Sequence, residues 1–67
     1  MNTRKFRAKL AETGLTQAEF AQTVGISKNT VTAKLKGRSH IYADEVKKWC
    51  EVLRVTDPAE MYSIFFE

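Results

Sequence analysis

Apolar side chains recur along this chain at helical spacing, and the recurrence breaks where residues that start and stop helices occur. Phe6 and Leu10 lie one turn apart in a segment that opens after Asn2, an N-cap residue type, and closes at Gly14, so a helix is expected from about Thr3 to Thr13. Thr16 followed three residues later by Glu19 is a capping box, and Leu15 before it can staple onto Phe20, which starts a second helix over Gln17 to Val24. Gly25 ends that helix and the same grammar repeats. Ser27 is the cap, Ile26 stands in the staple position opposite Val31, and a third helix runs from Lys28 to Lys36 before Gly37. Only Gly25, Ile26 and Ser27 separate these two helices. That link is too short for antiparallel packing, so the pair is expected to cross as a helix-turn-helix.

Val46, Trp49, Cys50 and Leu53 fall at i, i+3, i+4 and i+7 in a fourth helix from Ala43 to about Leu53, with Asp44 and Glu45 at its positive dipole end. Its start is weakly capped, because Tyr42 cannot accept a bond as Ser or Thr would. Its end is weakly marked too, because Arg54 stands where Gly or Asn would take a left-handed conformation more comfortably. Asp57, Pro58 and Glu60 open a last short helix that carries Met61, Tyr62, Ile64, Phe65 and Phe66. Strand signals are poor, and no repeat or low-complexity stretch interrupts the pattern. The expected fold class is all-α: a compact bundle of five short helices, residues 1–67 forming one domain with a helix-turn-helix at 16–37.

Composition narrows the function classes. With 67 residues, 43% hydrophobic and 28% charged, the chain is globular and has room for one small domain. Such a domain buries only roughly 60% of its unfolded surface, too little to wall a deep catalytic cleft. No apolar run approaches the ~20 residues of a membrane span. The basic start, Arg4, Lys5, Arg7 and Lys9, lacks the apolar stretch of a secretory signal that would follow it. No membrane partner and a cytoplasmic location are therefore expected. Cys50 alone makes neither an internal disulfide nor a metal cage, and at its spacing beside Trp49 it reads as a small buried hydrophobe. No cofactor, metal or catalytic group is expected, for want of paired carboxylates, a triad or a phosphate loop.

The net charge of +3 conceals an asymmetry: residues 1–40 carry +6, residues 41–67 carry −3. The first half therefore favours an anionic partner, and nucleic acid fits better than a membrane because no stretch pairs a basic face with a broad apolar one. On a helical wheel Val31 and Leu35 define the buried stripe of the third helix, while Asn29, Thr32, Ala33 and Lys36 point away and Lys28 sits on the exposed first turn. A polar face is ordinarily just solvated surface. Here, however, no carboxylate occurs from Gly25 to Ala43, and Lys34, Lys36, Arg38 and His40 follow one another. An amide, a hydroxyl, a methyl and ammonium groups suit a major groove lined by base edges between phosphates.

The run Thr16-Gln-Ala-Glu-Phe-Ala-Gln-Thr-Val-Gly25-Ile-Ser-Lys-Asn-Thr-Val31-Thr-Ala-Lys-Leu-Lys-Gly37 resembles the helix-turn-helix of the phage repressor and Cro (XRE, lambda-repressor-like) family. The marks are Gln17 opening its helix, Ala21 four residues on, Gly25 in the turn, β-branched Val31, and Gly37. The ending from Asp57-Pro58 to Ile64-Phe65-Phe66 is similar to small Gram-positive phage regulators of this type. The resemblance implies that Gln17 contacts phosphate and braces the recognition helix, that Lys28, Asn29, Thr32 and Ala33 face base edges with Ser27 at the rim, and that Lys36, Arg38 and His40 hold the backbone. Asn29 would pair with adenine, Lys28 with guanine, and the methyls of Thr32 and Ala33 with thymine. The chain departs from the family in having Lys34 where many members are apolar and Leu35 where they are polar. The buried stripe is thus expected to be rotated by one residue, leaving the groove-facing set open by one position.

The function expected is a sequence-specific, double-stranded DNA-binding transcriptional regulator, a Cro-like phage repressor that acts by occupying an operator. The apolar surplus of Met61, Tyr62, Ile64, Phe65 and Phe66 beyond core needs points to a homodimer whose two recognition helices meet half-sites about 34 Å apart. The rival readings are a protein-interaction module that binds a partner phage regulator through this tail, and an antitoxin-like regulator that does both.

Overall fold

A computed structural model describes all 67 residues. Five helices follow one another: α1 (Thr3–Thr13), α2 (Gln17–Val24), α3 (Lys28–Leu35), α4 (Ala43–Leu53) and α5 (Pro58–Phe65), with no strand. The expected all-α bundle is thus what the chain forms.

The punctuation works as its chemistry requires. Asn2 accepts from Lys5 N–H at the start of α1, and at α2 Thr16 accepts from Glu19 N–H while the Glu19 carboxylate accepts from Thr16 N–H, closing the capping box. Gly25 ends α2 at φ +84°, sending its own N–H and that of Ile26 back to the carbonyl of Ala21. A left-handed residue is what lets both N–H groups reach that one carbonyl, and glycine takes the conformation without a Cβ penalty. Leu15 and Ile26, the two staple residues, pack against the core.

Aromatic rings set the centre. Trp49 of α4 meets Phe20 of α2 edge-on at 5.0 Å between centroids, Phe20 meets Phe6 of α1 edge-on at 5.3 Å, and Phe6 and Trp49 close the triangle at 5.7 Å. Edge contacts of this kind pair positive ring rims with negative faces. Val31, Leu53 and Ile64 bring α3, α4 and α5 onto the same cluster, and Cys50 is buried there as a free thiol whose pKa burial raises. The chain's two ends meet: Asn2 N–H donates to Ile64 O at 2.7 Å, alongside the packing of α1 on α5.

Two local expectations are corrected. α3 stops at Leu35, one residue early, with Lys36 as its C-cap, because Gly37 at φ +76° turns the chain away. The inner stripe of α3 is not rotated but widened, since Val31, Lys34 and Leu35 are all buried. Arg54 does adopt the left-handed conformation, φ +61°, despite its Cβ, and returns its N–H to Glu51 O while Val55 N–H reaches Cys50 O. At the start of α4 the Tyr42 side chain makes no cap bond, and the Glu45 carboxylate instead accepts from Tyr42 N–H at 3.0 Å.

Candidate nucleic-acid interface

Ser27 builds the leading edge of the candidate surface. Its Oγ accepts from Thr30 N–H at 3.1 Å and pairs with Thr30 Oγ1 at 2.8 Å. That cap satisfies Thr30 but leaves the N–H groups of Lys28 and Asn29 without an intramolecular acceptor at the positive end of the α3 dipole. Ser27, Lys28 and Asn29 are exposed, Thr32 and Ala33 are half-buried one turn on, and Lys36, Arg38 and His40 are exposed beyond the helix end. The residues named from sequence therefore fall along the outer side of α3 and the segment that leaves it.

Gln17 joins this set from α2. Its Nε2 donates to Thr32 Oγ1 at 2.8 Å, and the Thr32 hydroxyl in turn donates to Lys28 O at 3.1 Å. The Thr32 proton is thus already committed, and one of the two lone pairs on its oxygen is filled. What Thr32 retains for a ligand is mainly its methyl. Gln17 is left with a free carbonyl oxygen and a second N–H, and it stiffens the crossing of α2 and α3, where Ala21 is buried.

Lys34 is the largest departure from the sequence reading. It is not one of the outward cations: the residue is only 8% exposed, and its Nζ donates to His40 O at 2.6 Å and to Glu45 Oε1 at 3.1 Å. The ammonium also lies 5.8 Å from the centre of the Tyr42 ring. The physical reason is its place three residues after Val31, on the inner side of the helix, where only a charge with partners is tolerated. Glu45 is held below the usual carboxylate range first by the Tyr42 N–H it accepts and then, against the opposing effect of burial, by Lys34.

The basic residues of α1 divide. Lys5 is taken up by Ser63 and by Glu67, 3.5 Å away, and Lys9 by Glu60 at 3.3 Å and Glu12 at 3.9 Å. Arg4 and Arg7 are exposed and outside every ion pair. His40 is exposed and stacks edge-on against Tyr42 at 5.0 Å. No three His, Cys, Asp or Glu side chains gather as a metal site, and no helix is long and apolar enough to cross a membrane.

Two contacts that position α3 were not read from sequence. Thr3 Oγ1 donates to Leu35 O at 3.2 Å, capping the C-terminal end of α3 from the first residue of α1. A bond across 32 residues leaves no trace in local spacing. The Lys34–Glu45 pair did leave one, a lysine on an inner helical position followed by an acid at the third residue of the next helix.

Searches of curated proteins and of solved structures returned no significant match. The family model for the Cro/C1-type HTH DNA-binding domain matches residues 5–67. With all but the first four residues inside that match, and with a capped α2, a glycine turn and a carboxylate-free α3 in place, the chain belongs to the Cro/C1-type HTH DNA-binding domain family.

Proposed function

We propose that this protein is a sequence-specific regulator of transcription that binds double-stranded operator DNA through α3, a Cro-like phage repressor that works by occupying the operator in the cytoplasm of a bacterial host. The observation that carries the reading is the outer side of α3 and its exit. Lys28, Asn29, Lys36, Arg38 and His40 are exposed in one stretch from Gly25 to Ala43 that holds no carboxylate. Asn29, with a donor and an acceptor on one planar amide, suits adenine in the major groove, and Lys28 suits guanine. Thr32 and Ala33 offer methyl groups to thymine, Ser27 lies at the rim, and Gln17 meets phosphate with the polar atoms its bond to Thr32 leaves free. In this reading residues 1–67 form one DNA-binding domain with its helix-turn-helix at 16–37.

A random-fragment selection for bound DNA, followed by titration of the enriched site against salt, tests this. The expected result is one enriched sequence class whose affinity falls with salt at about −0.9 in log–log slope per neutralised phosphate. Failure to enrich any sequence, or salt-independent binding, would overturn it.

A second reading is favoured by the surface of α4 and α5. Between α4 and α5 lies an open groove of about 440 Å³ whose lining includes apolar Val46, Cys50, Val55, Met61 and Phe66, with charged Lys47, Glu51 and Asp57 among them. Tyr62 and Phe66 beside it are each 59% exposed, with their rings 5.8 Å apart. This surface supports a homodimer on DNA, and equally the engagement of a partner phage regulator in antirepressor or antitoxin fashion.

A further inference from the structure

Between Gly37 and α4 the chain crosses six residues, Gly37 to Tyr42, with few backbone bonds of its own. Arg38 and Ser39 are tied to α3 through N–H bonds to Ala33 O, at 2.9 and 3.3 Å. Beyond Ser39 the N–H groups of His40, Ile41 and Tyr42 make no backbone–backbone bond. The polar anchors of this second half are three: His40 O accepts from Lys34 Nζ, Tyr42 N–H donates to Glu45 Oε1, the same oxygen that Lys34 binds, and Tyr42 O accepts from Val46 N–H of α4. Ile41 adds an apolar contact with the core. Lys34 thus spends two of its three protons fixing the far half of the segment, with the Tyr42 ring beside it.

We infer that Lys34 is a positioning residue of the DNA interface: its buried ammonium, bonded to His40 O and Glu45, sets the path of residues 40–42 and thereby aims His40 at the phosphate backbone. The inference rests on the DNA-binding reading proposed above. A lysine is suited to the task because its proton donors lie at the end of a long apolar stem. The stem packs with the inner stripe of α3, while the head reaches across to the next helix. An apolar residue at that position would fill the core equally well and leave His40 O and the Glu45 carboxylate without their shared cation.

The test compares the wild-type chain, Lys34→Met, His40→Ala and the double variant. Amide hydrogen exchange of the DNA-free protein is read first. Lys34→Met is expected to accelerate exchange at Tyr42, with core amides of α2 and α4 unchanged. On the selected DNA, His40→Ala is expected to cost affinity in the wild-type chain and little in the Lys34→Met background. A merely structural lysine would lower the melting temperature but leave the Tyr42 exchange unchanged and the His40 effect additive, and that result overturns the inference. If Lys34→Met does not fold, Glu45→Ala takes its place: it removes the acceptor that Lys34 and Tyr42 N–H share. An additive His40 effect in Glu45→Ala would also overturn the inference. A wild-type chain that binds no DNA removes the DNA reading itself, and the exchange measurement still decides whether Lys34 holds the segment.

Discussion

Thr32 and Asn29 sit one turn apart on α3 and differ in what they have left to give. The Thr32 hydroxyl is spent on Lys28 O and Gln17, whereas the Asn29 amide is exposed and bonded to nothing else in the protein. Sequence discrimination by hydrogen bonds should therefore fall on Asn29, with Thr32 contributing through its methyl. Asn29→Ala is expected to relax preference at one base pair by roughly 1–3 kcal/mol, measured as the affinity ratio between the selected site and a single-base variant. Lys36→Ala is expected to weaken selected and unselected DNA alike, since a phosphate contact carries no base information. A change of preference from Lys36→Ala would mean that α3 lies rotated in the groove, with Lys36 rather than Asn29 against the bases.

At the scale of elements, α3 and α4 are joined by the ion pair of Lys34 and Glu45, as α1 and α5 are by that of Lys9 and Glu60. Glu45 has its pKa lowered, chiefly by Tyr42 N–H and then by Lys34, so it contributes stability that is present above the ordinary carboxylate value of 4.5 and is lost as pH falls through the lower folded value. Thermal melts of Glu45→Gln are therefore expected to show a flatter fall in stability below pH 4.5 than wild type, and a lower stability at neutral pH. Lys34→Ala should cost more stability than Glu45→Gln, by about 2 kcal/mol, because it empties the place of a buried stem while the Glu45 left behind still reaches water. The same pair marks the limit of what the sequence discloses. Helices, caps and the glycine stops were legible because each signal lies within four residues of its effect: Thr16 with Glu19, Ser27 with Thr30, Gly25 with Ala21. The outer side of α3 followed from its wheel. The inward turn of Lys34 was legible only in part: its inner position and the acid at the third residue of α4 stand in the sequence, but a lysine there is favourable only if that acid meets it. That depends on how α4 packs, as does the reach of Thr3 to the end of α3.

For the molecule as a whole, charge and apolar surface are separated. The first forty residues hold an excess of six positive charges, and the last twenty-seven an excess of three negative. Part of the first excess is internal, since Lys34, Lys5 and Lys9 are occupied by acids of the second half. The cations left for phosphate are accordingly fewer than the composition implies: Arg4, Arg7, Lys28, Lys36 and Arg38. A dimer formed through Tyr62, Phe66 and the α4–α5 groove would present this set twice. Sedimentation equilibrium is expected to show a two-to-one complex on a palindromic site, reduced to one-to-one by Phe66→Glu with the helical content intact. A wild-type monomer on that site would remove the dimer.

The bond from Asn2 N–H to Ile64 O makes the backbone nearly a ring, with α1 and α5 side by side at its seam. Connectivity and architecture are then separable. Since Asn2 meets Ile64 directly, a short flexible linker could join the two ends, and the chain could be opened afresh at the α4–α5 turn. A circular permutant of that kind would retain every contact of α2 and α3, the bond from Thr3 to Leu35 O included.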